Sequence, residues 1–163
     1  MAENSICILS PKIINQIDNW LKRYPVDQKR SGVIEALRFV QEEHGHLTEP
    51  LMNAVADHLE ISKISVYEVA TFYHMFYLKP IGKHVLDVCT NISCMLRDVE
   101  KISLYCKKKL KIDWGETTAD GKYTLQQAEC LGACANAPVI QVGKKYYEDL
   151  TPEKIDKMLD ELT

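Results

Sequence analysis

Apolar residues recur at helical spacing four times in the first half of the chain. Ser10-Pro11 reads as an N-cap followed by proline at the first helical position. Ile13, Ile14, Ile17, Trp20, Leu21 and Tyr24 then fall three or four apart, and Pro25 stops the run. A second helix opens near Ser31, carries Val33, Ile34, Leu37 and Val40, and ends at Gly45. Thr48 caps a third, with Leu51, Met52, Val55 and Leu59 on one face. Ser62 or Ser65 starts a fourth, where Ser65-x-x-Glu68 has the capping-box pattern. Four short amphipathic helices with short connections predict a small helical bundle.

The texture changes at Lys79-Pro80-Ile81-Gly82, which sets an expected boundary between a helical domain, 1–80, and a second domain, 81–163. His84–Cys89 alternates and is rich in β-formers, so a strand is expected. Ser93 to Leu110 reads as one helix. Asp120-Gly121 marks a turn before a strand over Tyr123–Glu129. Val139–Val142 and Lys145–Tyr147 flank Gly143-Lys144 as a hairpin. Thr151-Pro152-Glu153 opens a last helix through Leu162, with Ile155, Met158, Leu159 and Leu162 apolar. The expected class is α+β.

Composition and charge narrow the function classes. Residues are 46% hydrophobic and 26% charged, a globular mix. Net charge is −3, with eight Lys and Arg against ten Asp and Glu in 1–80 and twelve against thirteen in 81–163. No basic footprint for nucleic acid exists; Lys107-Lys-Lys-Leu-Lys111 reads as the solvated end of a helix, where cations suit the dipole. Met1-Ala-Glu-Asn-Ser lacks a basic n-region, and no apolar run has transmembrane length. A cytosolic protein with reduced or metal-bound thiols is expected.

Six cysteines then change the picture. Cys89-Thr-Asn-Ile-Ser-Cys94 and Cys130-Leu-Gly-Ala-Cys134 form two close pairs, separated by about one supersecondary unit, which is a metal-site layout. Structural zinc usually draws on C-x2-C knuckles; the spacings here are C-x4-C and C-x3-C. A [2Fe–2S] cluster takes two thiolates on each of two irons, so separate pairs suit it, and spacing favours a cluster over zinc. With four thiolates the cluster is formally minus two when oxidised and minus three when reduced, so it wants N–H donors close by. Gly132, Ala133 and Ala135 let the backbone approach the sulfurs, and Gly132 suits φ > 0. Ser93 and Cys94 fall at an expected helix start, which favours negative charge. A thiol–disulfide enzyme would want C-x-x-C, which is absent. Cys106 reads as a packed helix face and Cys7 as part of a loose N-terminus.

These same stretches carry a family resemblance. Cys89-x4-Cys94 and Glu129-Cys-Leu-Gly-Ala-Cys-Ala-Asn-Ala-Pro138 resemble the two cluster-binding segments of the thioredoxin-like [2Fe–2S] subunit of NADH:quinone oxidoreductase, the E-type subunit of respiratory complex I. Tyr146-Tyr-Glu-Asp-Leu-Thr-Pro152 is similar to the family's next segment. Val69-Ala-Thr-Phe-Tyr73 and Val40-Gln-Glu-Glu-His-Gly45 resemble its helical N-terminal part. The resemblance implies a helical domain followed by a thioredoxin-like domain, and one cluster on Cys89, Cys94, Cys130 and Cys134. It implies an electron carrier with no catalytic pocket of its own, acting within an oxidoreductase. FMN and NADH are then expected on a partner subunit, with the complex peripheral on the cytoplasmic face of the inner membrane.

Other features read blandly. His44, His46, His58, His74 and His84 are scattered surface or capping residues, and His58 and His84 have no evident partner. Phe72 and Phe76 read as core packing of the fourth helix rather than a partner surface. Glu42-Glu43 is a solvated face. Without G-x-G-x-x-G or a Walker loop, no nucleotide cradle is visible. The alternatives are the equivalent subunit of an NAD-linked hydrogenase or formate dehydrogenase, a stand-alone thioredoxin-like ferredoxin, and a zinc-stabilised interaction module. The helical extension counts against the free ferredoxin.

Overall fold

The computed structural model describes residues 8–162. Cys7 therefore lies outside the described residues. The chain divides after Pro80 into two compact units.

The first unit is four helices: α1 (Pro11–Leu21), α2 (Val33–His44), α3 (Glu49–Leu59) and α4 (Lys63–Phe72). Local chemistry sets some of the starts and stops. The Ser10 hydroxyl accepts from the Ile13 N–H, and α1 ends at Leu21, before Pro25 is reached. A 3-10 turn (Lys29–Gly32) leads into α2, which has no side-chain cap and stops at Gly45 with φ 80°. Thr48 stands at the N-cap of α3 but makes no capping bond with its side chain. The fourth helix starts at Ser62, whose hydroxyl accepts from the Ser65 N–H; the Ser65-x-x-Glu68 pattern marks no boundary. Glu60 takes φ 57° directly after α3, so the chain reverses early enough for α4 to begin one turn sooner than the capping-box signal suggests.

The core of this unit joins Ile13 and Ile17 of α1, Leu37 and Val40 of α2, Val55 and Leu59 of α3, and Val66 of α4. One expectation splits. Phe76 is buried, but it follows α4 rather than belonging to it, and Phe72 is 79% exposed. The segment after α4 folds back because Gln41 of α2 accepts from the Tyr77 N–H at 2.7 Å and donates to the Met75 carbonyl at 2.9 Å. Those bonds bring Phe76 to the core and leave Phe72 outside it.

The second unit is built on a four-stranded mixed sheet in the order β2–β1–β3–β4. The strands are β1 (His84–Cys89), β2 (Tyr123–Ala128), β3 (Ile140–Val142) and β4 (Lys145–Tyr147). β1 runs parallel to β2 and antiparallel to β3, and β3 turns back into β4. As a central strand, β1 buries Val85, Leu86, Val88 and Cys89, side chains from both its faces. Gly82, just before it, donates to Thr124 Oγ1 at 2.6 Å and lies so close to β2 that a Cβ would meet the Tyr123 carbonyl carbon at 2.9 Å.

The helix expected over Ser93–Leu110 is two. A single turn, α5 (Ile92–Met95), is followed by α6 (Val99–Leu110). Asp98 breaks them with φ 62°, a left-handed conformation that a short polar side chain tolerates. The helix-dipole argument at Cys94 shrinks accordingly, because one turn builds little macrodipole. A last helix, α7 (Pro152–Glu161), is capped by Thr151. Ile102 and Cys106 of α6 and Ile155, Met158 and Leu159 of α7 complete the core with β1, β2 and β3. Tyr105 of α6 bonds the Asp156 carboxylate of α7 at 2.8 Å. Cys106 is fully buried here, and burial pushes its thiol up to about 12. Among the described residues no helix is long and apolar enough to cross a membrane.

Candidate metal centre

Each of the four paired cysteines is placed by the end of a regular element. Cys89 is the last residue of β1, and its N–H donates to the Val139 carbonyl at 3.1 Å. Thr90 then bonds the Ala128 carbonyl at the end of β2, at 3.0 Å from its N–H, which fixes where the loop departs. Asn91 caps α5, its side chain accepting from the Ile92 N–H at 2.9 Å, and so sets Cys94 on that turn. Cys130 lies just beyond β2, and Cys134 opens a second 3-10 turn (Cys134–Asn136). Cys89 and Cys94 are buried; Cys130 and Cys134 are exposed, and all four are free of disulfides.

The thiols are brought together. Cys89 is held below the usual thiol range. Burial pushes it up, but hydrogen bonds from the backbone N–H groups of Asn91 and Leu131, and from the thiols of Cys94 and Cys130, outweigh that. Cys94 is pushed up by burial, by donating to Cys89, and by the charges of Cys89 and Cys134, with the Val139 backbone opposing. The first pair thus interacts with both cysteines of the second. Among the described residues no group of three or more His, Cys, Asp or Glu side chains is arranged to hold a single metal ion. Four thiols in two pairs fit the four cysteine thiolates that a [2Fe–2S] cluster takes.

The surroundings fit such a group. Sulfurs that carry negative charge need N–H donors, and the loops supply them: Asn91 and Leu131 to Cys89, Val139 to Cys94, and Gly132 to Cys130 at 3.4 Å. Gly132 takes φ 77°, a conformation that its lack of a side chain permits. Apolar Ile92, Met95 and Leu96 stand exposed around α5, so the buried pair adjoins an apolar surface.

Several of these partners were not expected from sequence. Asn91 carried a readable signal, since an Asn just before a short apolar turn is a good N-cap. The N–H donors of Leu131 and Val139 had none, because any residue type supplies a backbone N–H. His58 has a partner that the sequence did not show: its Nε2 lies 2.8 Å from Asp18 Oδ1, tying α3 to α1. His84 stacks near Tyr123, and burial followed by the charges of Lys83 and Lys122 lowers its pKa. Glu42 pairs with Arg38, and Glu43 accepts from the Ser10 hydroxyl at 3.1 Å.

Relatives agree with this architecture. The sequence matches the thioredoxin-like [2Fe–2S] ferredoxin family over residues 17–163, across both units. It is 46% identical over 151 residues to a Rickettsia felis protein named as the E-type subunit of NADH-quinone oxidoreductase, covering 92% of this chain and 90% of that one. It is 43% identical over 145 residues to a Rhizobium meliloti protein named likewise, covering 89% and 85%. In fold, it resembles a chain of an NAD+-reducing [NiFe]-hydrogenase in the air-oxidised state, with a TM-score of 0.69 at 18% identity. That match covers 80% of this chain and 22% of the other. This chain, helical unit and sheet unit together, belongs to the thioredoxin-like [2Fe–2S] ferredoxin family.

Proposed function

We propose that the chain is the electron-transfer subunit of an NADH-quinone oxidoreductase and carries one [2Fe–2S] cluster on Cys89, Cys94, Cys130 and Cys134. The observation that carries this reading is the convergence of two cysteine pairs among backbone N–H donors, in a chain with no second candidate centre among its described residues. When bound, a cluster of this kind accepts and returns one electron at a time. The chain's own part is to hold four thiolates, to meet their charge with the N–H groups of Asn91, Leu131, Gly132 and Val139, and to keep Cys89 and Cys94 from water.

The electron comes from, or goes to, a partner. FMN and NADH belong, by the family resemblance, to a separate subunit, and this sequence carries no loop of the G-x-G-x-x-G or Walker kind. The exposed side formed by Cys130 and Cys134 is where that flavin subunit would approach. The assembled complex would sit on the cytoplasmic face of the membrane, this chain attached only through its partners. The runner-up is the same place in an NAD-linked hydrogenase. Identities of 43–46% to NADH-quinone oxidoreductase subunits, against 18% to the hydrogenase chain, favour the first.

Anaerobic purification tests the reading. A red-brown protein with two irons and two sulfides per chain and a one-electron paramagnetic signal on reduction is expected. Colourless protein holding one zinc would overturn it. Isolation of the native assembly through a tag on this chain should recover a flavin-containing subunit.

A further inference from the structure

Two of the four thiols sit on turns too short to hold themselves. Cys94 lies in the single-turn α5, and Cys134 opens a three-residue 3-10 turn. Both turns are tied to one segment, residues 148–150, between β4 and α7. On the Cys134 side, the Asp149 N–H donates to the Asn136 carbonyl at 2.7 Å, and the Leu150 N–H to the Pro138 carbonyl at 3.2 Å. The Asn136 side-chain amide donates to Glu148 Oε2 at 2.9 Å. On the Cys94 side, Asp149 Oδ1 lies 3.6 Å from the Arg97 guanidinium, and the Arg97 N–H donates to the Cys94 carbonyl at 3.1 Å. Asp149 reaches both ways from a left-handed backbone, φ 47°, which Asp tolerates where most side chains do not.

The geometry points to residues 148–150 as a clasp on the Cys134 turn, with Asn136 and Glu148 as positioning residues for Cys134 and Asp149 as a weaker tie towards the Cys94 turn. The inference rests on the cluster reading above. The members differ in strength. Arg97 and Asp149 are both more than half exposed, so that pair contributes little. The Asn136 amide bonds a charged acceptor and is the stronger tie. The clasp's effect is on retention: a ligand turn that opens more often exposes its thiolate to a competitor.

The experiment is iron loss from the anaerobically purified full chain to an excess of chelator, followed as bleaching of the visible spectrum. Asn136→Ala and Glu148→Ala should start with the parent's spectrum and bleach about three- to tenfold faster. Glu148→Gln, whose amide oxygen still accepts but without the charge, should bleach more slowly than Glu148→Ala and no slower than the parent. Glu161→Gln serves as control, because it removes an equally exposed ion pair with Lys145, 2.9 Å long, that touches neither ligand turn. The thermal midpoint of the metal-free chain should be the same in all four. Bleaching of Asn136→Ala at the parent rate overturns the clasp. So does equal acceleration in Glu161→Gln, or a lowered midpoint that tracks the faster bleaching, since either reduces the effect to general stability. A parent protein with no chromophore fails differently: it removes the cluster, and this inference with it.

Discussion

Gly132 takes φ 77°, and a Cβ built on it would meet no protein atom within 4 Å. Two arguments for its identity therefore separate. Crowding by the chain is no reason for glycine here; the backbone angle is. Gly132→Ala should lower stability by about 1 kcal/mol, the ordinary difference for a left-handed residue with a Cβ. Gly132→Val should do more, because a β-branched residue is a genuine outlier at that angle, and relaxing it would pull the N–H away from Cys130. Iron content and a redox titration decide this: less iron or a shifted midpoint is expected for Val, and normal iron with an unshifted midpoint refutes it. The cysteines sort by the same local reasoning. Ser at Cys89, Cys94, Cys130 or Cys134 should abolish or distort the visible spectrum, while Cys106→Ser should leave it intact. Cys106 is buried in α6 with its thiol pushed from an ordinary 9.0 to about 12. The folded state thus favours the protonated thiol, and its contribution to stability is complete below pH 9 and lost as pH climbs towards 12. At about pH 8 the folded chain should resist alkylation at Cys106, and labelling as fast as in denaturant would contradict its burial.

Most helices were legible because their signals are local and reinforce each other. Ser10-Pro11, Gly45 and Thr151-Pro152 each place a boundary through bonds or angles that depend on that residue alone. Failures came where tertiary structure chose between local options. Ser62 and Ser65 both suit a cap, and the early reversal at Glu60 selects Ser62. Val99–Leu110 continues the apolar rhythm of α5, so nothing periodic announces that Asp98 turns left-handed between them. The four cysteines were legible as a set from spacing; the N–H donors around them were not, since a backbone group leaves no mark in the sequence. Gln41 shows the same limit from the other side. It looks like one more polar position on α2, yet its amide pairs with both Met75 and Tyr77 and folds the segment after α4 inward. Gln41→Ala removes two hydrogen bonds, one part-buried and one exposed, which costs about 1–2 kcal/mol. Denaturant unfolding should show a lower midpoint for the transition of the helical unit, with Phe76 more accessible. An unchanged midpoint would mean that apolar contacts of Phe76 alone hold that segment.

At the scale of the whole chain, the two units each possess a buried core of their own, one joining α1 to α4 and the other joining the sheet to α6 and α7. All four paired cysteines belong to the second unit. The helical unit supplies none of these four side chains, yet the family match runs through it from residue 17. Its surface gives a reason. Ile64, Tyr67 and Phe72 of α4 are exposed although apolar, at 61%, 47% and 79%. Aromatic and branched side chains left in water on one helix suit burial against another protein. Deletion of residues 1–78 should then leave a folded, coloured domain that keeps its iron but binds the flavin subunit more weakly. The effect on the two properties distinguishes the roles of the helices. Loss of colour together with loss of binding would make them a structural support for the second unit. Full colour with unchanged association in a pull-down would remove them from the interface. A milder variant separates surface from scaffold: Phe72→Ser removes an exposed ring that contributes little to the helical core, so stability should change by no more than about 0.5 kcal/mol. Weaker capture of the flavin subunit by that variant, at unchanged iron content and thermal midpoint, is the result expected if α4 faces the partner.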